Sequence, residues 1–304
     1  MSGWKSWENW IRRPREVWLR RALFQIHLWT GLGIGVYVLA ISLSGSALVF
    51  RNDLYKAFTA PPVIVRPSGE RLSLEALQDF AARAYPGYEI STVWENEKNR
   101  DQAVEITLEG GGREKRRLFD PYTGRDLGNS IPAGIRFMSW LDDLHVNLVA
   151  GETGRLVNGG VAVLWVLLGA TGAVVWWPGI RDWRRGLGIR WNVRWRRFNW
   201  DLHSAAGIWT LAFVLIWGVT GVQVAIPGPF WAVVDYFEPP PEGFQPGPRW
   251  GEVILRWSSR VHFGSFGGRP SQALWVIFGV APVILFVTGA LMWWNRVWRR
   301  RAVD

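Results

Sequence analysis

HLWTGLGIGVYVLAISLSG, residues 27–45, and HSAAGIWTLAFVLIWGVTG, residues 203–221, align without a gap at an offset of 176. The alignment superimposes His27 on His203, Gly31 on Gly207, and Ser44-Gly45 on Thr220-Gly221. A second offset, of 117, superimposes His145 on His262, Thr171-Gly172 on Thr288-Gly289, and Trp176-Trp177 on Trp293-Trp294. All four histidines of the 304-residue chain fall within these repeats, which makes them the leading candidates for cofactor ligands. Internal repeats of hydropathy are a building plan of membrane proteins.

The apolar runs at Ile26–Phe50, Leu156–Trp177, Leu202–Ile226 and Ala273–Trp294 each approach or exceed the roughly 20 residues that cross a bilayer core. They predict an α-helical membrane protein with four transmembrane helices arranged as two pseudo-symmetric pairs. The predicted order is a basic tail over 1–25, helix one over 26–50, a small folded module over 51–132, and an interfacial helix and loop over 133–155. Helix two follows over 156–178, a basic loop over 179–201, helix three over 202–226, a loop over 227–270, helix four over 271–295 and a tail over 296–304.

The tail that holds Lys5, Arg12, Arg13 and Arg15, the loop at 179–201 and the C-terminal tail together carry a net charge of +12, while the other polar regions carry −2. The positive-inside rule puts the basic side and both termini in the cytoplasm, and the whole chain in a bacterial inner membrane as a multi-pass protein. The first apolar run is too long for a cleaved signal and reads as an anchor. The net charge of +10 is therefore a topology signal, and nucleic-acid binding is not expected, because the basic segments abut the spans. The absence of cysteine excludes thiolate metal sites, iron–sulfur clusters and covalent haem attachment. Many of the 23 tryptophans, among them Trp183, Trp191, Trp195, Trp200 and Trp298, lie where spans meet the basic side, as an interfacial belt requires; a few could instead stack on a flat macrocycle.

Between helices one and two, Ser73 caps a predicted helix whose Leu74, Leu77, Phe80, Ala81 and Ala84 share one face. Ala103–Leu108 alternates as a strand, Gly110-Gly111-Gly112 turns, and Arg117–Phe119 returns into Asp120-Pro121-Tyr122-Thr123-Gly124. This is a small α+β module on the periplasmic side. A helix followed by a β-meander that closes on Asp120 to Gly128 resembles a PepSY module. Leu144-His145, Gly151 to Arg155, Thr171 to Pro178 and the His27-to-Gly45 segment resemble the PepSY-associated transmembrane family. That resemblance covers nearly the whole chain and implies similarity to haem-containing ferric-siderophore reductases of the ferrioxamine type. The chain departs from its relatives in compactness, since the loop at 227–269 is too short for a second PepSY module.

A histidine in or near a bilayer is a functional candidate by default. Two neutral imidazoles on opposite faces of b-type haem leave no open site, which favours electron transfer over oxygen binding. Topology pairs His27 with His203 near the inner surface and His145 with His262 on short periplasmic helices, one haem iron for each pair and two haem b in all. Gly31 and Gly207 lie one turn from His27 and His203 on the same face, where a missing side chain would let a porphyrin lie flat. Close helix packing through Gly31 and Gly35 explains the same glycines equally well. Gly45 and Gly221 return to that face 18 residues on, as part of a small-residue stripe.

The expected activity is that of a dihaem electron conduit, a haem-dependent oxidoreductase that reduces a periplasmic ferric siderophore and releases ferrous iron. No Gly-x-Gly-x-x-Gly signature opens a βαβ unit, so the expected donor is quinol or another protein. Arg136, Arg155, Arg256, Arg260 and Arg269 could attract an anionic ligand near the outer haem, and phospholipid contact would explain them as well. A homo-oligomer is compatible with the sequence. A different class is a PepSY-bearing binding or regulatory protein with no redox role. A transporter is disfavoured by the scarcity of acids in the spans and by the expectation that no helix is broken.

Overall fold

The computed structural model describes residues 11, 12, 14, 17–239 and 249–301 of the chain, with the backbone alone for 298–301. The tail residues Lys5, Arg13 and Arg15 and the side chain of Trp298 lie outside the described residues. The helices and strands in chain order are α1 (Trp18–Gly33), α2 (Gly35–Leu48), α3 (Arg51–Phe58), α4 (Leu74–Ala84), β1 (Glu89–Trp94), β2 (Val104–Gly110), β3 (Arg113–Phe119) and β4 (Asp126–Asn129). They continue with α5 (Ala133–Asn147), α6 (Gly151–Trp176), α7 (Trp195–Ala225), α8 (Gly228–Phe237), α9 (Trp250–His262), α10 (Gly268–Gly279) and α11 (Ala281–Arg301). Two compact units result, one from the described residues up to Phe50 and from Trp140 onward, the other from Arg51–Ser139.

In the first unit, α6, α7 and the Gly268–Val297 segment are long and apolar enough to cross a membrane, with 26, 31 and 30 residues. At about 1.5 Å per residue each exceeds the ~30 Å of a hydrocarbon core. Their outward faces keep large apolar side chains exposed, with Val219 at 51% and Ile277 at 68%. Lipid covers such a surface, and the chain is a membrane protein. Each span starts earlier than its apolar run. Helix two begins at Gly151 and helix three at Trp195, because flanking polar residues continue the backbone hydrogen bonds beyond the hydrophobic stretch. The loop expected over 227–270 holds two further helices, α8 and α9.

Helix one departs from the expectation of a single straight rod over 26–50. It starts at Trp18 and bends by 62° between α1 and α2, and only as a bent pair does it supply a fourth span. The cause is local. Ile34 sits between Gly33 and Gly35, and a Cβ on Gly35 would lie 1.9 Å from a ring carbon of Phe286, so only glycine lets α11 approach here. The expected absence of a broken helix is thereby corrected. The bend is apolar: Ile34 and Val38 pack with buried Trp165, whose Nε1 donates to Val214 O at 2.9 Å, and with Val161 and Leu168. Glycines also set the α6–α7 approach, since a Cβ on Gly218 would meet Val166 at 2.6 Å and one on Gly159 would meet Ile226 at 2.6 Å.

The second unit is a four-stranded antiparallel sheet in the order β1-β2-β3-β4 with α4 on one face. Ser73 Oγ accepts from the Ala76 amide at 3.2 Å and caps α4. The core is fully buried Leu77, Ala81, Val104, Ile106, Leu108 and Phe119. Gly111 and Gly112, with φ of 56° and 71°, form the two-residue turn that pairs Gly110 with Arg113. The third strand thus begins four residues before Arg117. Its charged residues have partners: Arg117 pairs with Asp126 on β4 at 2.8 Å, and the Lys115 ammonium lies 4.3 Å from the Tyr88 ring centre, a cation–π contact. Burial would raise the Asp126 pKa, but hydrogen bonds from Arg117, the Tyr85 hydroxyl and the Gly128 amide outweigh it and hold the carboxyl below its usual value. Ile106→Ala removes a side chain with no exposed surface and should cost about 2–5 kcal/mol. Calorimetric unfolding in detergent measures it, and a loss under about 1 kcal/mol would contradict this core.

Candidate functional site

The four histidines meet as two pairs. His27 on α1 and His203 on α7 have ring centroids 6.4 Å apart with planes at 80°. His145 on α5 and His262 at the end of α9 have centroids 6.5 Å apart with planes at 49°. A metal about 2 Å from each of two imidazole nitrogens, with about 1.1 Å from nitrogen to ring centre, places the centroids roughly 6.3 Å apart. Edge-to-face aromatic contact covers the same range of distance. In all four rings the hydrogen bonds run through Nδ1, and Nε2 has no protein partner among the described residues.

A different helix holds each ring. His27 Nδ1 lies 3.1 Å from Leu168 O and 3.3 Å from Thr171 Oγ1 on α6, and His203 Nδ1 lies 2.9 Å from Thr288 Oγ1 on α11. His145 Nδ1 lies 3.0 Å from Ser44 Oγ on α2, and His262 Nδ1 lies 2.9 Å from Thr220 Oγ1 on α7. The glycine after each hydroxyl faces a ring, and at Gly45, Gly172 and Gly289 the missing side chain makes room for it, while at Gly221 the distance is an ordinary contact. A Cβ on Gly45, Gly172, Gly289 or Gly221 would lie 2.7, 3.0, 3.2 or 3.5 Å from Cε1 of His145, His27, His203 or His262. Gly45 and Gly221 therefore serve the opposite histidine pair from the one they follow in sequence, rather than a stripe beside their own. A Cβ on Gly31 would meet only Leu168, at 3.5 Å, and one on Gly207 only Leu285, at 3.7 Å, so protein packing does not require glycine at either.

The backbone around the outer pair is tied by different side chains in the two halves. Asn158 Nδ2 donates to His145 O at 2.7 Å and Val146 O at 2.9 Å, and the Tyr37 hydroxyl donates to Asn158 Oδ1 at 2.5 Å. Leu148 and Val149 take φ of 51° and 56°, a costly conformation for a β-branched residue, to turn the chain from α5 into α6. A Cβ on Gly154 would lie 1.7 Å from Asn147 O, so α6 can start beside that carbonyl only with glycine there. At the corresponding place in the other half, Ser271 Oγ donates to Gly264 O at 2.7 Å. Near the inner pair, Asn199 and Asp201 are both 1% exposed. Asn199 donates to Thr288 O at 2.9 Å, and Asp201 pairs with Arg190 and Arg197 at 3.1 and 2.9 Å.

The hydroxyls and the two asparagines are what sequence reasoning missed. The Ser/Thr-Gly dipeptides were visible as matched positions of the repeats, but their target lies on another helix, which spacing along one segment does not reveal. Of the arginines considered as an anion site, Arg155 is bonded to Glu152 at 2.7 Å and Arg260 lies 5.5 Å from the Trp257 ring centre. An apolar groove of about 530 Å³ between α8 and α9, walled by Phe230, Val233, Phe237 and Ile254, includes none of the histidines. Among the described residues no group of three or more His, Cys, Asp or Glu is arranged to hold a metal. Each pair offers two imidazole nitrogens.

A model of the PepSY-associated TM region family matches residues 24–248 and 240–296. No curated protein matches the chain.

The glycine geometry is directly testable. Gly45→Ala forces a Cβ against the His145 ring and should lower stability by about 1–3 kcal/mol. Gly160→Ala, in a helical position with no atom within 4 Å of its Cβ, should be neutral or gain up to about 1 kcal/mol. Tryptophan-fluorescence melting in detergent compares them, and equal effects would contradict the close approach of ring and glycine.

Proposed function

The chain belongs to the PepSY-associated TM region family, and on that footing we propose that it is a dihaem b electron-transfer protein of the bacterial inner membrane. It reduces a periplasmic ferric siderophore so that ferrous iron is released. The observation that supports the reading is the meeting of two separate imidazole pairs, with centroids 6.4 and 6.5 Å apart and each ring hydrogen-bonded through Nδ1, so that Nε2 would be the nitrogen to hold a metal.

His27 and His203 would hold one haem, and His145 and His262 the other. Bound haem supplies a one-electron ferric–ferrous couple. The protein's part is to hold the irons apart and in order. Along α7, His203 belongs to one pair and Thr220 touches the other, 17 residues on, or roughly 26 Å at 1.5 Å per residue. Two sites so placed reach most of the way across a hydrocarbon core of ~30 Å. Gly31 and Gly207 lie one turn from the inner histidines, where the lack of a side chain would favour a flat ring against the helix. Haem held by two imidazoles would supply electron transfer rather than oxygen binding. The charge asymmetry puts the His27/His203 site toward the cytoplasm, where quinol or a protein donor delivers electrons, and the His145/His262 site toward the periplasmic acceptor.

Haem content and its dependence on the pairs test this. The purified protein should carry two haem b, with a Soret band that shifts on dithionite reduction. His27→Ala and His203→Ala should each remove the same half of the signal, and the double variant little more, since members of one site are not additive. A folded, colourless protein, or additive losses within a pair, would overturn the reading. In oriented vesicles the His145→Ala variant should keep a haem reducible by the natural donor yet fail to reduce an outside ferric siderophore. Reduction at the wild-type rate would remove the outer pair from the path. A periplasm-dependent reporter should work when inserted near Gly111 and fail after Arg190, and the opposite pattern would reverse the orientation.

A further inference from the structure

We propose that Ser44, Thr171, Thr220 and Thr288 are positioning residues that hold all four histidines in the Nδ1–H tautomer and set the rotation of each ring. The inference deepens the haem reading, and rests on it for what Nε2 grips; the tautomer itself follows from an account of protons.

A hydroxyl has one proton to donate. Ser44 gives it to Ala40 O at 2.8 Å, Thr171 to Leu167 O at 2.8 Å, Thr220 to Ile216 O at 2.6 Å and Thr288 to Ile284 O at 2.6 Å. Each is a carbonyl one helical turn back, of the kind Ser and Thr reach inside helices. With that proton committed, the oxygen can only accept from the imidazole. Nδ1 must therefore carry the hydrogen, and Nε2 is left as a bare lone pair. His27 supplies an independent check, because its Nδ1 also lies 3.1 Å from Leu168 O, and a carbonyl can only accept. Free histidine prefers the other tautomer, with the hydrogen on Nε2. Four rings held against that preference by the same device mark Nε2 as the atom in use.

The same bonds fix ring rotation. The anchors of the inner pair sit on α6 and α11 and those of the outer pair on α2 and α7, so the angle between planes is set by helix packing: 80° in one pair and 49° in the other. Near-perpendicular imidazoles donate equally into both iron dπ orbitals and keep them nearly degenerate. Ferric iron in the inner pair should then show the larger EPR anisotropy. Acceptance at Nδ1–H also makes imidazole a stronger donor to a metal, which stabilises the ferric state. Loss of a hydroxyl should raise the midpoint potential of its own site only.

The test uses full-length protein as purified, labelled with ¹⁵N-histidine, in lipid bilayers and reduced with dithionite, under which a bis-imidazole ferrous centre is diamagnetic. Solid-state NMR should find the hydrogen on Nδ1 in all four rings, whether or not haem is present. Thr288→Val should change the His203 resonances alone, Thr288→Ser should restore them, and in haem-bearing protein the inner EPR signal and potential should move while the outer ones stay. A hydrogen on Nε2 in the wild-type rings would overturn the proposal, and so would a Thr288→Val protein with unchanged His203 resonances. Haem absorbance recorded on the same sample reports separately on the parent reading, so failure of one is not mistaken for failure of the other.

Discussion

Each imidazole of this protein is held by a hydroxyl of a neighbouring helix, and the packing of the helical unit is organised around that bond. A ring with two polar nitrogens is costly to bury in an apolar bundle unless both are used. The hydroxyl satisfies one. Because its own proton goes to the carbonyl one turn back, the bond has a direction, and because a glycine follows it, the ring can come close enough to make it. Pairs of helices are brought together four times by this one arrangement, and the second nitrogen of each ring is what remains for a ligand.

The two halves share the device but not its surroundings. Tyr37 and Phe213 correspond at the offset of 176, and Asn158 and Trp275 at the offset of 117. In the first half the tyrosine hydroxyl donates to Asn158, which in turn caps the helix that carries His145. In the second, Phe213 meets Trp275 edge to face at 5.5 Å, and Trp275 packs against Phe266 at 4.9 Å. A hydrogen-bonded tie has thus been exchanged for an aromatic contact at the same place in the fold. Both hold the short histidine-bearing helix against the start of the following span.

Three straight spans, the small α+β unit and the pairing of the histidines were legible because each rests on a pattern along the sequence: apolar runs, a capped amphipathic helix, a gapless repeat. The bend at Ile34 was not, since what demands it is Phe286, some 250 residues away, entering the space that Gly35 leaves. The charged strand β3 was read only from Arg117 onward because its stability comes from partners elsewhere in the unit, Asp126 on β4 and Tyr88 before β1, and not from alternation along itself. Gly45 and Gly221 were assigned to the wrong task for the same reason. Their spacing from His27 and His203 suggested a shared stripe, while the rings they admit belong to His145 and His262.

The central claim is that each pair ligates one iron through both of its rings. Near-infrared magnetic circular dichroism of the oxidised protein measures axial ligation directly, through a charge-transfer band whose position depends on the two axial atoms. The account predicts one bis-histidine band with the intensity of two haems per chain, halved when either member of a pair is replaced. A histidine–methionine or single-histidine band, or no haem band from folded protein, would contradict it.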